Sequence, residues 1–428
     1  MKALQFDVLV VGSGPAGLAA AACAAHSAAR VGLVDDNPTE GGQIWRGVRP
    51  QALTRAAHTW LVRARRPNVT HLNGVRVIAP FGRGAVLAES AGASLELRYN
   101  HIILATGARE RFLPFPGWTL PGVMGVGGLQ ALAKGGWPIV GKRVVVAGSG
   151  PLLLAVAAHL RGRGATVRII AEQAPWTTLV AFARSLLRYP EKLREGAALG
   201  RRLRGVPFRS GCWVTRAYGN QQLEAVTLRA GTRTWTERCD YLACGFGLVP
   251  NIKLAATLGC AVVDGAASVD KWQHSSVAGV FCAGEVTGIG GVDLALAEGQ
   301  IAGFAATGNI HAAQTRFRQR ARAQRFAAAL ERGFALRDEL KALADADTIV
   351  CRCEDVPYAA LQGQPDWRTA KLQIRCGMGP CQGRVCGSAT AFMFGWTQNS
   401  IRPPIAPARL ESFAGLNTRD AHTKEIMR

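Results

Sequence analysis

No stretch of about 18 uninterrupted apolar residues occurs in this chain, so nothing in it reads as a membrane-spanning helix. Negative charge is scarce: 29 Asp+Glu stand against 51 Lys+Arg, a balance of +22. Such a balance suits nucleic acid, a membrane surface or an acidic partner. No nucleic-acid recognition motif accompanies it, and the arginines spread from Arg30 to Arg428 with one dense run, RFRQRARAQR at 316–325. The expectation is therefore no nucleic acid, an acidic protein partner or anionic headgroups, and at most peripheral membrane association. A disulfide framework is also missing, because the 11 cysteines are odd in number and irregularly spaced. Six are scattered singly and read as core residues; the five between positions 351 and 386 read as a metal site in a reducing compartment.

What is present is a chain of 428 residues, 48% hydrophobic, long enough for two to four domains. The opening MKALQFDVLVVGSGPAGLAAAACAAHSAA has the look of a signal peptide. The other reading is a buried strand from Phe6 to Val11, a glycine turn and an alanine-rich helix. Cleavage would remove the glycine turn, so the mature, cytoplasmic reading is expected, with the inner face of a membrane as the alternative place.

Gly12, Gly14 and Gly17, with Pro15 and Ala16 between them, form G-x-G-x-x-G after a strand and at the opening of a helix. The glycines permit a tight turn and close approach of a pyrophosphate, and the helix N-terminus offers free N–H groups. Asp35 ends the second strand, 23 residues beyond Gly12, where an acid meets a ribose hydroxyl.

The strand, turn, helix, strand pattern returns at 141–173, so a second nucleotide-binding unit is inserted into the first. Gly148 and Gly150 are present, but Leu153 stands where the third glycine is expected, which disfavours close packing around a pyrophosphate. Glu172 suits a ribose hydroxyl and repels a 2'-phosphate. This site is expected to be empty, structural or occupied by another nucleotide such as ATP. Between 311 and 345, Phe326, Leu330 and Phe334 recur at helical spacing, which predicts a basic helical connector.

Cys351 and Cys353 form a C-x-C pair, while Cys376, Cys381 and Cys386 follow at equal spacing of five. Five thiols in so short a span suit zinc or an iron-sulfur cluster, and the spacing is neither the C-x2-C of zinc ribbons nor a common ferredoxin run. From spacing alone the second pair is either Cys376 with Cys381 or Cys381 with Cys386.

Three segments add a resemblance. EGGQIWR (40–46, holding Gly42 and Gln43), HIILATGARE (101–110, with Thr106 and Gly107) and GVFCAGEVTGIGGVDLALAEGQIAG (279–303, with Gly284 and Glu285) resemble the FAD-binding signatures of flavoproteins related to glutathione reductase. The resemblance implies an α/β fold with two dinucleotide-binding domains, the second inserted in the first. It also implies that Glu285, where Asp is usual, holds the ribitol chain. No cysteine pair follows Gly42, so a dithiol relay beside the flavin is not expected.

The C-x-C and later pair resemble the small helical [2Fe-2S] domain related to bacterioferritin-associated ferredoxin. GMGPCQGRVC (377–386) is similar to the GMGxCQGRxC of amino-acid dehydrogenase subunits. That likeness implies Cys351, Cys353, Cys381 and Cys386 as ligands and leaves Cys376 structural or spare. With PFPGWTLPGVMG (114–125), the whole resembles the alpha subunit of hetero-oligomeric dye-linked dehydrogenases. These are opine oxidases, D-hydroxyproline and L-proline dehydrogenases and a hydrogen cyanide synthase subunit.

The domains expected are an FAD-binding domain at 1–120 and 250–310, a second nucleotide domain at 121–249, a connector at 311–345, a [2Fe-2S] domain at 346–400 and a tail at 401–428. The resemblance further implies a catalytic FAD-containing beta subunit like D-amino-acid oxidase, a small ferredoxin-like gamma subunit, and FMN at a subunit interface. No His/acid pair for amine oxidation is evident, and His101 and His274 read as structural. An autonomous NADH-dependent reductase and a scaffold around a catalytic partner are the competing readings.

Overall fold

The computed structural model describes residues 1–47, 54–398 and 401–414. They form two compact units, one from 1–109, 249–327 and 401–414, the other from 110–248 and 328–398.

In the first unit the strand Lys2–Val11 pairs in parallel with Val31–Asp35 on one side and Ser94–Leu104 on the other. Val69–Asn73 extends the sheet beyond Val31–Asp35, and Val280–Cys282 joins Ser94–Leu104, both in parallel. Arg76–Pro80 and Ala85–Glu89 complete an antiparallel meander. Every residue of Val31–Asp35 is buried, as expected of a parallel strand covered on both faces. The register aligns Val11 with Val34 and with Leu104, and Leu104 with Cys282. Consequently Gly12, Asp35, Thr106 and Gly284, which follow or end four separate strands, share the carboxyl edge of one sheet, where open α/β sheets bind ligands.

Small side chains set the layer above this sheet. The helix Pro15–Ala24, with proline in its first turn, is buried from Ala16 to Ala24. It packs on the helix Gly291–Ala306, where a Cβ on Gly299 or Gly303 would stand 2.1 or 2.3 Å from the Ala16 and Ala20 carbonyl oxygens. The alanine run is thus a packing surface for a second backbone. The described part of the expected tail lies on this unit: Ile405 N–H donates to Ile78 O at 2.8 Å and Arg409 N–H to Glu89 Oε1 at 2.8 Å. Residues 415–428 lie outside the described residues.

The second unit holds a five-stranded parallel sheet in the order Phe208–Ser210, Thr166–Glu172, Arg143–Ser149, Tyr241–Phe246, Val123–Gly125. A three-stranded antiparallel meander, Cys212–Tyr218, Ala225–Ala230 and Arg233–Arg238, accompanies it. Two segments group differently from the sequence expectation. Residues 110–120, expected with the flavin domain, belong here, and the cysteine region is part of the same unit. Phe112, Phe115 and Trp118 are buried together with Val145, Leu340, Leu343 and Ala389, while Val350, Cys351, Leu361, Trp367, Cys376 and Cys386 form a cluster of their own. The connector forms the helices Ile310–Gln314 and Phe317–Gly333 and a short 3-10 turn at Asp338–Ala342. Phe334 falls just beyond the long helix. Among the described residues, no helix is long and apolar enough to cross a membrane.

Candidate functional site

Gly12 has φ +105, a conformation that favours glycine, and a Cβ there would stand 2.3 Å from Ala105 O. A Cβ on Gly17 would stand 1.7 Å from Gly12 O. Gly14 differs, since its added Cβ would meet only the Gly42 Cα, at 3.9 Å. The first and third glycines are thus demanded by the fold, and the second keeps open the space that a pyrophosphate needs. Asp35 Oδ2 accepts from Ser13 N–H at 2.6 Å and Ser13 Oγ at 2.8 Å, while Oδ1 accepts from Asn37 N–H at 2.9 Å. The acid therefore braces the turn it faces.

The remaining early residues gather at the same edge. Gly42 opens the short helix Gly42–Trp45 against Gly14, and Gln43 is exposed with its Oε1 accepting from Arg46 at 3.3 Å. Thr106 Oγ1 donates to Asn251 O at 2.8 Å, and Asn251 N–H donates to Gly107 O at 2.9 Å. Gly284 has φ +79 and lies beyond the strand Val280–Cys282, immediately before Glu285. Burial pushes the Glu285 carboxyl up, with no hydrogen bond from the described residues offsetting it. A desolvated acid without a protein donor suits a hydroxyl-bearing ligand, so the donor set fits the ribitol and pyrophosphate of FAD.

Glu298, which the sequence motifs do not single out, organises this edge. It is 3% exposed, and its Oε2 accepts from Gly284 N–H at 2.9 Å and Thr287 Oγ1 at 2.7 Å. Burial pushes its carboxyl up to about 7 from an ordinary 4.5. Because the folded value is raised, the stabilising contribution is fully present below about pH 4.5 and is lost as pH rises through about 7. Glu298→Gln keeps an oxygen to accept both hydrogen bonds and removes the ionisation. We expect its Tm at pH 8 to exceed that of the unaltered protein by about 2–6 °C, with the gap closing by pH 5, in melts at matched flavin content. Equal gaps at both pH values would refute the assignment.

In the second unit, a Cβ on Gly148 would stand 1.7 Å from Gly245 O, so this glycine is again demanded by the fold. Glu172 is 2% exposed, with Oε2 accepting from Gly150 N–H at 2.8 Å and Oε1 from Ala174 N–H at 2.9 Å; burial pushes it up to about 7. The helix Leu152–Gly162 begins tightly, with Leu153 N–H donating to Gly150 O and Leu154 N–H to Pro151 O, both at 3.1 Å. Leu153 is buried in the core below. Donors that would meet a pyrophosphate are therefore spent within the turn.

The chain also crosses this turn with its own backbone. Ser149 Oγ donates to Phe334 O at 3.0 Å, Gln173 Nε2 to Ala335 O at 3.1 Å, and Arg337 N–H to Gln173 Oε1 at 3.3 Å. Phe334 packs edge-on against Phe182 with ring centroids 5.1 Å apart, and the Arg337 guanidinium lies 4.9 Å from the Trp213 ring. Residues 334–337 thus form a strap at the carboxyl edge of the sheet, a feature no motif signals.

The thiols also sit in this unit. Cys351, Cys376 and Cys386 are all buried, with their sulfurs within 4.8 Å of one another. Cys353 is exposed and meets the backbone N–H and thiol of Cys381. The structure gathers Cys351, Cys376 and Cys386 in one group and sets Cys353 beside Cys381 in a second contact. Hydrogen bonds from the Cys376 and Cys386 thiols pull the Cys351 thiol far down, toward the thiolate that binds metal. Two pairs of sulfurs fit the two irons of a [2Fe-2S] cluster, and three buried sulfurs fit most of a zinc site as well. Gly379 is needed here, because a Cβ would stand 2.3 Å from the Cys353 Cβ.

His274 Nδ1 lies 3.0 Å from Asp270 Oδ2, and His71 Nδ1 lies 2.9 Å from Glu40 Oε1. Asp270 also accepts the N–H groups of Trp272 and His274, so this pair closes a turn, packed on Phe281.

Comparison with known proteins agrees with this geometry. The pyridine nucleotide-disulphide oxidoreductase family matches residues 6–315. Hydrogen cyanide synthase subunit HcnB of Pseudomonas aeruginosa is 32% identical, over 96% of this chain and 98% of its own. An opine oxidase subunit of Rhizobium meliloti (strain 1021) is 32% identical, over 96% and 99%. Among solved structures, L-proline dehydrogenase from P. horikoshii shares the fold with TM-score 0.67 and 20% identity, over 96% of this chain and 80% of that one. The chain belongs to the pyridine nucleotide-disulphide oxidoreductase family, as a flavoprotein oxidoreductase related to the hydrogen cyanide synthase and opine oxidase subunits.

Proposed function

We propose that this chain is the electron-transferring alpha subunit of a hetero-oligomeric amine or amino-acid dehydrogenase of D-hydroxyproline, opine or proline type. In this reading it takes electrons from a catalytic FAD-containing beta subunit and passes them toward a respiratory acceptor. The observation that carries the proposal is the company the thiols keep: one chain holds an FAD cradle and five cysteine sulfurs, three of them within 4.8 Å of one another and the other two in contact. FAD and a [2Fe-2S] cluster, when bound, supply a two-electron carrier and a one-electron outlet.

The residues of the chain have the following parts. Gly14 leaves room for the pyrophosphate, the helix Pro15–Ala24 directs its N-terminus at it, and Glu285 offers its carboxylate to the ribitol. Cys351 and Cys386 would hold one iron, Cys353 and Cys381 the other. A charge of +22 favours an acidic partner surface or anionic lipid at the inner face of a membrane. The two relatives covered nearly in full bear subunit names, which accords with assembly on partner chains; this reading adds a small ferredoxin-like subunit and FMN between subunits.

The anaerobically purified chain should contain roughly two iron and two acid-labile sulfide per FAD, and dithionite should produce an S = 1/2 signal. Stoichiometric zinc with no sulfide would sink the electron-transfer reading. Dye reduction by amino acids should then require co-expression with the catalytic partner.

A further inference from the structure

The buried thiols outnumber what one iron can use. Cys376, Cys351 and Cys386 are 0%, 1% and 1% exposed, and their sulfurs lie within 4.8 Å of one another. Cys353 and Cys381 form a separate contact. In a four-cysteine [2Fe-2S] site each iron takes two thiolates, so the Cys353/Cys381 pair is complete, while Cys351 faces two candidate partners.

Those two partners come from different arms of the fold. Cys386 opens the helix Cys386–Phe394. Cys376 follows the helix Trp367–Ile374, delivered by Arg375 in a left-handed conformation, φ +62, whose guanidinium Nε is 2.6 Å from Glu354 Oε2. Its own N–H donates to Ala370 O at 3.3 Å, and the next N–H, of Gly377, donates to Cys351 Sγ at 3.4 Å. Gly377 has φ +82, and a Cβ there would stand 2.5 Å from the Trp367 ring, so the arm carrying Cys376 is held closely. Loss of Cys386 would leave this arm in place.

We propose that Cys376 is a reserve cluster ligand that replaces Cys386 on the iron held by Cys351, giving this iron alone a spare thiolate. The inference rests on the iron-sulfur reading of the site. With the cluster bound, the exchange would break one Fe–S bond to Cys386 and form one to Cys376. The Cys376 thiol gives up its proton and the departing Cys386 thiolate takes one, so charge balances and no electron moves. A pair made of the exposed Cys353 and the half-buried Cys381, outside the group of three buried sulfurs, makes the two irons unequal: one tolerates loss of a ligand, the other does not.

Iron, sulfide and the reduced-state EPR spectrum decide this, measured on the full chain with flavin content as the folding control. Cys386→Ala should keep roughly half or more of the unaltered protein's iron and sulfide, with shifted g values. Cys353→Ala should lose most of both. Cys376→Ala should keep the unaltered spectrum, and the double variant Cys376→Ala/Cys386→Ala should fall to the level of Cys353→Ala. Cys386→Ala losing as much cluster as Cys353→Ala at full flavin content would overturn the proposal, as would a double variant indistinguishable from Cys386→Ala. An unaltered protein without iron and sulfide would instead remove the iron-sulfur reading itself, and this proposal with it.

Discussion

Anaerobic addition of one equivalent of NADH should leave the flavin band and the broad cluster absorption unbleached, while dithionite reduces both. Three features of the second unit combine to give this result. The Gly150, Leu153 and Leu154 N–H groups are committed to Glu172, Gly150 and Pro151, so few donors remain for a pyrophosphate. Leu153 fills the position of the third glycine and is anchored in the core. The strap of residues 334–337 is held by Ser149 and Gln173 at the sheet edge over which a dinucleotide would lie. A binding loss of about 4 kcal/mol, the scale of losing several charge-assisted hydrogen bonds, moves a micromolar affinity to about a millimolar one. Bleaching at stoichiometric NADH would make the chain a self-contained reductase and end the subunit reading. The measurement separates the two because in one case the electrons come from a nicotinamide and in the other from a partner chain.

Gly14→Val should purify as a folded protein with at least tenfold less flavin, whereas Gly17→Val should lose both flavin and stability. The distinction comes from what each missing Cβ would meet. At Gly14 the nearest neighbour is the Gly42 Cα at 3.9 Å, so a small side chain fits the protein and intrudes only on the ligand's space. At Gly17 the Cβ would stand 1.7 Å from Gly12 O, so strand and helix must separate, at a cost of about 1–3 kcal/mol or more. Flavin absorbance per protein, with a melt of each apoprotein, reads the two effects apart. Equal loss of Tm in both variants would show that Gly14 serves the fold rather than the cofactor.

The candidate flavin residues were legible because their chemistry is local. A turn with positive φ at Gly12, a helix opening at Pro15 and an acid at the end of the second strand each follow from a few neighbouring residues. Glu298 was not legible. It is one of two acids in an alanine-rich helix, and only the packing of Gly291–Ala306 beneath Gly284 turns it inward. Neither was the His274 and Asp270 pair, since an i, i+4 spacing acquires meaning only once the turn between them closes.

Residues taken in order are enough to establish two strand-turn-helix nucleotide units, the first suited to a dinucleotide and the second short of a glycine, with five thiols close together near the C-terminus. Three further points came from the folded chain. Cys376 joins Cys351 and Cys386, because a left-handed residue at Arg375 and the packing of Gly377 on Trp367 aim it inward, which equal spacing in the chain cannot reveal. The cysteine region groups with the second unit, because Ala389 joins Leu340 and Leu343 beside Phe115 and Trp118, while its buried thiols sit in a cluster of their own with Leu361 and Trp367. The strap lies over the second glycine turn, because two side chains, Ser149 and Gln173, hydrogen-bond to a backbone more than 160 residues away. Local propensity is written in neighbouring residues; these three outcomes depend on which distant surfaces exclude water together, and that is settled only when the chain folds.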